Sequence, residues 1–393
     1  MTRFDYLIVG GGMTADAAAR GIRKEDAKGT IGVVGAEPHG PYNRPPLTKG
    51  LWKGDPLDGI WRKSEDAGAS LLLGRRVVTL QPDAKRVTDD RGEVYEYGVL
   101  LLATGGKPRR FKDAPDGVVY FRTLDDYRKV RDLADRGAGF VVVGGGFIGS
   151  EIAAALRMQG RDVTMIIHED GIGARVFPPE LSRWLVAYYR EKGVTVVLGK
   201  SVDRVESRDG KLQVRLGGDE PVAADAVVAG LGIEPDVDLA RQAGLVVGDG
   251  VEVDEYLRTK DRGIYAAGDV ASFLNPSLGR RIRVEHEDNA NTMGEVAGRN
   301  MAGARRRYDH LPMFYSDLFD LGYEAVGDVS ARHPTVVDWK QEFREGVIYY
   351  LDAGRVCGVL LWNTWGQVDA ARALIAEPGP FRAEQLRGRL PAG

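Results

Sequence analysis

One cysteine, Cys357, occurs among 393 residues. A lone thiol can neither close an intrachain disulfide nor supply a dithiol redox pair. Within "RVCGVLLW" it reads as a small core residue. Histidine is almost as scarce, at five scattered positions, so no metal-ligand spacing is legible and no metal site is expected. No apolar run approaches the roughly 18 residues of a membrane span. The chain reaches "FDYLIVGGG" within a few residues of Met1, leaving no room for a signal or transit peptide, and a cytoplasmic protein is expected. Charge of one sign is lacking too. The formal net charge is −3, and the run Arg305-Arg306-Arg307 reads as a solvated face, so no nucleic-acid partner is expected. Repeats and low-complexity tracts are absent. What remains is a globular composition, 43% hydrophobic and 28% charged, long enough for two or three domains.

Glycine, by contrast, is placed with purpose. The apolar run Tyr6 to Val9 leads into Gly10-Gly11-Gly12-Met13-Thr14-Ala15 and then an alanine-rich helical stretch. This is the G-x-G-x-x-A dinucleotide fingerprint in its strand–turn–helix setting. Gly10 permits the tight turn, and Gly12 lets a pyrophosphate approach the free N–H groups of the helix start. Ala15 keeps the helix close to the sheet. The next strand, "TIGVVGAE", ends at Glu37, whose carboxylate can accept bonds from ribose hydroxyls.

The arrangement recurs in "GFVVVGGGFIGSEIAAALRMQGRDVTMII", with Gly144, Gly146 and Gly149 at the fingerprint positions. Two units imply two dinucleotides, most economically a retained flavin and an exchanging nicotinamide. "VLLLATGGKPR" ends a strand in Ala103-Thr104-Gly105 and runs on to Arg109. "GIYAAGDVA" ends another in Gly268-Asp269. Small residues at a strand end let backbone lie against a ligand, and Asp269 can accept a bond from a sugar-alcohol hydroxyl.

In this order the motifs resemble the FAD-dependent pyridine nucleotide oxidoreductase family, over essentially the whole chain. The resemblance implies that Gly10, Gly12, Thr14, Ala15, Glu37, Ala103, Thr104, Gly105, Arg109, Gly268 and Asp269 serve FAD. It implies that Gly144, Gly146, Ile148, Gly149 and Gly232 serve NADH. The family's disulfide reductases need a C-x-x-x-x-C pair, and its peroxidase and oxidase branch needs one cysteine where this chain has "YNRPPLTKG". Thiol chemistry is therefore excluded. The R-P-P-L-T-K pattern resembles the branch of ferredoxin and rubredoxin reductases and apoptosis-inducing factor. "HEDGIGARVFPPELSRW", "RVEHEDNA" and "FYSDLFDLGYEAVG" are nearer to apoptosis-inducing factor, although Tyr315 stands where both groups commonly have tryptophan. No nuclear-targeting basic cluster is present, and a cell-death role is not carried over.

The same branch implies that Arg44 and Pro45 line FAD and that Lys49 reaches the flavin N5. Glu151, early on the second fingerprint's helix, would pair with Lys49 and orient its ammonium, so that the pair supports negative charge as the flavin takes hydride. Phe147 either covers the flavin ring and swings aside for nicotinamide or is a core aromatic. Glu169, after "MII" and His168, would bond the nicotinamide ribose; no arginine adjoins it, which favours NADH over NADPH. Glu285 and His286 fall on the stretch that the resemblance sets beneath the flavin pyrimidine edge. His286 contacts a cofactor or merely starts a helix. Tyr315 stacks on nicotinamide or shields the cleft.

The expected fold class is α/β: two Rossmann-like domains in a glutathione-reductase-like architecture without redox disulfide, plus a small α+β C-terminal domain. FAD binding is expected over residues 1–114 and 236–306, nicotinamide binding over 115–235, and an interface domain over 307–393. "GKLQVRLGGDEPVAADAVVAG" should form antiparallel strands after the nicotinamide-domain core. Asp352-Ala353-Gly354 should turn a hairpin, Glu377-Pro378-Gly379 should stop a helix, and Trp362 and Trp365 should lie in the core. The function expected is hydride transfer from NADH to FAD and onward to a ferredoxin- or rubredoxin-type carrier, a quinone or oxygen. The alternative is a redox-responsive binding module with slow turnover, and a homodimer is compatible with either.

Overall fold

The computed structural model describes residues 2–390. Its residues group into two compact units, each assembled from separate stretches of chain.

The first unit comprises Met1–Asn43, Pro56–Lys107 and Glu234–Pro312. Its main sheet runs in the order Ala69–Leu73, Ile31–Gly35, Thr2–Val9, Val94–Leu102, Arg86–Asp89, Val77–Gln81, and Ile264–Ala266 also pairs with Val94–Leu102. The strands from Ala69–Leu73 to Val94–Leu102 are parallel, as is Ile264–Ala266; the last two are antiparallel. Parallel strands covered on both faces need continuous apolar runs, which "LIV" and "VLLL" provide. Leu7, Ile8, Leu100 and Leu101 are fully buried. Helix Met13–Glu25 follows the first strand and packs on helix Glu287–Met301. The helices meet closely: a Cβ on Gly298 would stand 2.0 Å from the Ala18 carbonyl oxygen.

The second unit comprises Arg44–Asp55, Pro108–Ile233 and Met313–Gly393. A parallel sheet runs in the order Thr195–Leu198, Val163–Ile167, Phe140–Val143, Ala226–Ala229, Val118–Val119. The strands Val202–Arg208, Lys211–Leu216 and Val222–Ala224 form an antiparallel layer, whereas the end of the stretch expected to be antiparallel, Ala226–Ala229, joins the parallel sheet beside Phe140–Val143. A separate antiparallel sheet holds Met313–Leu318, Leu321–Gly327, Arg355–Trp362, Glu345–Asp352 and Thr335–Gln341, in that order. Ala353 and Gly354 both adopt positive φ, 48° and 80°, in the tight hairpin turn between its last two chain-adjacent strands. Helix Val368–Ala376 ends where Glu377 turns extended ahead of Pro378.

The proline-rich stretch forms two short 3-10 turns, Pro45–Thr48 and Gly50–Trp52. Prolines at the start of the first turn lack N–H groups that would otherwise be unmet there. The Trp52 indole N–H donates to the Leu47 carbonyl at 2.8 Å and fastens the turns together.

Two core assignments need revision. Trp362 is fully buried and donates to the Phe343 carbonyl, but Trp365 is 50% exposed. Its ring lies over Gly322, where the missing side chain leaves a shallow seat. Cys357, expected in the core, is only partly buried.

Candidate functional site

In the first unit, Gly10 has φ +120°, and a Cβ there would lie 2.0 Å from the Ala103 carbonyl oxygen. The glycine turn and the Ala103-Thr104-Gly105 strand end are thus in direct backbone contact. Gly12 differs. Its φ is −96°, which any residue can adopt, and a Cβ would meet no protein atom within 4 Å. It caps helix Met13–Glu25 without a side-chain hydrogen bond, so the helix start keeps N–H donors for an anion. Thr14 and Gly268 are close, since a Cβ on Gly268 would reach 2.3 Å from the Thr14 hydroxyl.

Beyond the turn, Glu37 follows strand Ile31–Gly35, and the Tyr42 hydroxyl donates to its Oε2 at 2.6 Å. A cleft of about 260 Å³ is lined by residues including Gly10, Val34, Ala36, Arg75 and Thr104. The Thr104 hydroxyl donates to the Asp236 carbonyl at 2.7 Å, tying the second and third chain segments of this unit together. Arg75 is held from behind by Asp89 at 2.8 Å. Arg283 joins three neighbours: Asp249 at 2.8 Å, Glu285 at 2.5 Å and the Asp269 carbonyl at 3.3 Å. Burial alone would lower its pKa, but the two carboxylates hold it above the usual arginine value. His286 is the N-cap of helix Glu287–Met301, again without a side-chain capping bond.

The second unit repeats the first fingerprint's logic. Gly144 has φ +108° and abuts the Gly230 carbonyl, whereas Gly146, at φ −80°, has no atom within 4 Å of a built Cβ. Gly146 caps helix Phe147–Met158 without a side-chain bond. Gly149 is required by packing, its Cβ position lying 2.1 Å from the Gly144 carbonyl oxygen. Ile148 is exposed, and Phe147 is partly exposed with its ring 5.0 Å from that of Phe314. Phe147 is therefore not a sealed core aromatic. Arg109 donates its backbone N–H to Gly232 at 3.0 Å, so these two expected residues are neighbours. Arg44 donates to the Arg122 carbonyl at 2.7 Å, just ahead of Pro45.

Glu169 departs from the sequence expectation. No arginine adjoins it in sequence, yet Arg175, six residues on, folds back to it at 2.6 Å. His168 bonds instead to the Ser201 hydroxyl at 2.8 Å.

Lys49 and Glu151 form an ion pair at 2.7 Å, with side chains 12% and 3% exposed. A charge pair this buried requires further hydrogen bonds to hold both ions. Thr48 donates to Glu151 Oε2 at 2.5 Å and Ser316 donates to Oε1 at 2.6 Å. Burial, and then the Glu151 charge, drive the Tyr189 and Tyr323 hydroxyls well above the ordinary tyrosine pKa. The ammonium also lies 5.2 Å from the centre of the Tyr315 ring. Tyr315 is 37% exposed.

Directly opposite Tyr315 in the strand pairing is Glu324, so their side chains share a sheet face. Among the described residues, Glu324 Oε2 is buried with no hydrogen-bond partner, and burial raises its carboxyl pKa. Buried polar atoms are seldom left so, and an unmet acceptor suits a ligand's N–H. Thr48, Ser316, Glu324 and Arg175 are functional candidates that the sequence reading missed. Thr48 was visible beside Lys49; the others depend on strand register and loop path.

The donor set fits dinucleotides at two places. Each has an uncapped helix start, an open space over a glycine that the fold itself does not demand, and a carboxylate after the next strand.

Residues 4–294 match the pyridine nucleotide-disulphide oxidoreductase family. Residues 297–341 and 337–377 match the C-terminal family of mitochondrion-associated apoptosis-inducing factor. The chain is 36% identical over 388 residues to the 5,5'-dehydrodivanillate O-demethylase ferredoxin reductase subunit of a Sphingobium species, covering 96% of this chain and 94% of that one. It is 34% identical to mitochondrial apoptosis-inducing factor 1 of Dictyostelium discoideum, covering 95% of this chain and 78% of that one. Among solved structures, the ferredoxin reductase for the CYP199A2 system of Rhodopseudomonas palustris superposes with a TM-score of 0.84 at 30% identity, over 91% of each chain. These relatives lend no support to the alternative of a slow-turnover binding module. Among the described residues no helix is long and apolar enough to cross a membrane. With one cysteine and so no dithiol, the chain belongs to the pyridine nucleotide-disulphide oxidoreductase family and is a pyridine-nucleotide-dependent oxidoreductase.

Proposed function

We propose that this protein is an FAD-dependent NADH reductase for a ferredoxin-type iron–sulfur carrier. The observation that carries the reading is the pair of open, uncapped glycine turns at Gly12 and Gly146, in a chain with no thiol pair. FAD, when bound, accepts hydride from the reduced nicotinamide and releases the electrons one at a time.

FAD is assigned to residues 1–114 and 236–306, NADH to 115–235, and an interface role to 307–393. The helix start at Gly12 with Thr14 and Ala15 would hold the FAD pyrophosphate. Glu37, steadied by Tyr42, would hold its adenosine ribose. Ala103, Thr104, Gly105, Gly268 and Asp269 offer backbone and a carboxylate along the same ligand. The family resemblance also assigns Arg44, Pro45, Arg109, Glu285 and His286 to FAD. Gly144, Gly146, Ile148, Gly149 and Gly232 would receive NADH, with Glu169 on its ribose and Phe147 and Tyr315 beside its ring. The unmet Glu324 oxygen suits the nicotinamide carboxamide N–H.

Lys49 would supply positive charge to a bound flavin. Glu151, Thr48 and Ser316 fix the direction of that ammonium. The ferredoxin-type acceptor is supported by the names of the bacterial relatives.

The test is an anaerobic NADH titration of the purified yellow protein, followed by steady-state turnover with a panel of [2Fe–2S] ferredoxins, rubredoxin, a quinone and oxygen. Rapid bleaching of the flavin and fast turnover with a ferredoxin are expected. Fast turnover with quinone or oxygen alone would refute the carrier assignment, and no bleaching by NADH would refute the whole reading.

A further inference from the structure

We propose that Asp328, His333 and Cys357 form a binding site for one zinc-class divalent ion. No metal site was expected from sequence, since one cysteine and five scattered histidines show no ligand spacing. Folding supplies the convergence. Strand Leu321–Gly327 ends at a glycine with φ +76°, and the Asp328 N–H donates to the Cys357 carbonyl at 2.8 Å. That bond sets Asp328 beside Cys357 on the neighbouring strand Arg355–Trp362. The chain then turns back through Ser330, whose carbonyl accepts the His333 N–H at 3.0 Å. His333 Nε2 meets Asp328 Oδ2 at 2.9 Å.

One ligand atom from each of the three residues lies within 4.8 Å of the other two. Around a tetrahedral zinc with bonds of about 2.0–2.3 Å, ligand atoms stand roughly 3.3–3.8 Å apart, so a closure on the order of 1 Å completes the shell. Thiolate, imidazole and carboxylate together suit zinc better than magnesium or calcium, which take oxygen alone. The His333 and Asp328 side chains are 20% and 23% exposed, so an ion can enter and a water can take the fourth position.

The Cys357 thiol faces the carbonyls of Tyr350 at 3.4 Å and Asp328 at 3.8 Å, weak contacts that a thiolate–metal bond would outweigh. Binding forms the metal–sulfur bond and releases the thiol proton, so each ion taken up at neutral pH frees about one proton. His333 binds as neutral imidazole. The site is independent of the redox reading.

The experiment uses the full-length, flavin-loaded protein, dialysed against chelator and titrated with zinc chloride. Calorimetry in two buffers of different ionisation enthalpy should give one zinc per chain and about one proton released. X-ray absorption at the zinc edge should show one sulfur at about 2.3 Å and lighter ligands at about 2.0 Å. Cys357→Ser and His333→Ala should each weaken binding at least 100-fold while flavin content and NADH oxidation stay unchanged. A sulfur-free zinc shell, unaltered affinity in Cys357→Ser, or no saturable binding by 100 μM zinc would each overturn the proposal.

Discussion

Gly12 and Gly146 stand at the same step of two separate fingerprints, and at neither would a methyl group touch a protein atom within 4 Å. The fold does not require glycine at these positions, unlike Gly10, Gly144 or Gly149, where backbone stands in the way. Gly12→Ala should therefore fold, with apo-protein stability changed by less than about 1 kcal/mol, yet purify with most of its flavin lost. Gly146→Ala should keep the flavin and raise KM for NADH about tenfold or more. Absorbance spectra and steady-state kinetics of the two variants decide this. Equal flavin retention in both would sink the assignment of the first turn to FAD.

Nucleotide choice rests on Glu169 and its partner Arg175, 2.6 Å away. The carboxylate repels a 2′-phosphate, so the wild type should prefer NADH. Arg175 is 84% exposed and free to turn toward a phosphate once that repulsion is gone. Glu169→Gln should raise kcat/KM for NADPH about tenfold, equivalent to roughly 1.4 kcal/mol. A wild-type preference for NADPH would show that Arg175 already dominates.

The unmet Glu324 oxygen gives a binding prediction. If it accepts the carboxamide N–H, Glu324→Ala should raise KM for NADH about tenfold, the size of one hydrogen bond. Flavin content and the extinction spectrum should not change. A KM within a factor of two of wild type would leave Glu324 without this role.

Much of this arrangement was legible in the chain itself, where local rules act. Fingerprint glycines must sit between strand and helix, so Gly10–Ala15 and Gly144–Gly149 are readable from spacing. Ala353-Gly354 signals its turn through backbone freedom, and Pro378 stops its helix by sterics. Contacts set by strand register or loop return were not legible. Ser316 reaches Glu151 because alternation on Met313–Leu318 turns it to the opposite face from Tyr315. Arg175 reaches Glu169 only because the intervening loop doubles back. Trp365 failed as a core assignment because aromatic character does not tell a buried ring from one lying on a glycine.

Acid stability should report on Asp89. Burial would raise this carboxyl, but Arg75, the Glu93 and Arg91 N–H groups and the Tyr95 hydroxyl together lower it to about 2. In the unfolded chain it titrates near the ordinary value of 3.8. A depressed folded pKa stabilises the protein above pH 4, and that contribution drains away as pH falls toward 2. Asp89→Asn should cost on the order of 2 kcal/mol at pH 6, the stability carried by the depressed Asp89 carboxyl pKa. Urea midpoints for wild type and variant should converge between pH 4 and pH 2.5. A gap that stays constant over that range would mean that the Asp89 charge contributes nothing.

The Lys49–Glu151 pair yields the sharpest kinetic prediction, provided that charge and packing are separated. Lys49→Met removes a positive charge at the proposed flavin edge, which for one electrostatic donor is worth about 3 kcal/mol, or a factor of 10² to 10³ in rate. It also strands the buried Glu151 carboxylate, a structural penalty of roughly 3–5 kcal/mol. The double variant Lys49→Met/Glu151→Gln removes the stranded charge; of Thr48 and Ser316, which donate to different Glu151 oxygens, one can still donate to the amide oxygen while the other's hydroxyl accepts from the amide N–H. Thermal stability should therefore recover in the double variant while the slow anaerobic reduction by NADH persists in stopped flow. Both single and double variants should load FAD. If the double variant regains the wild-type reduction rate along with its stability, Lys49 serves only to neutralise Glu151, and the electrostatic role falls.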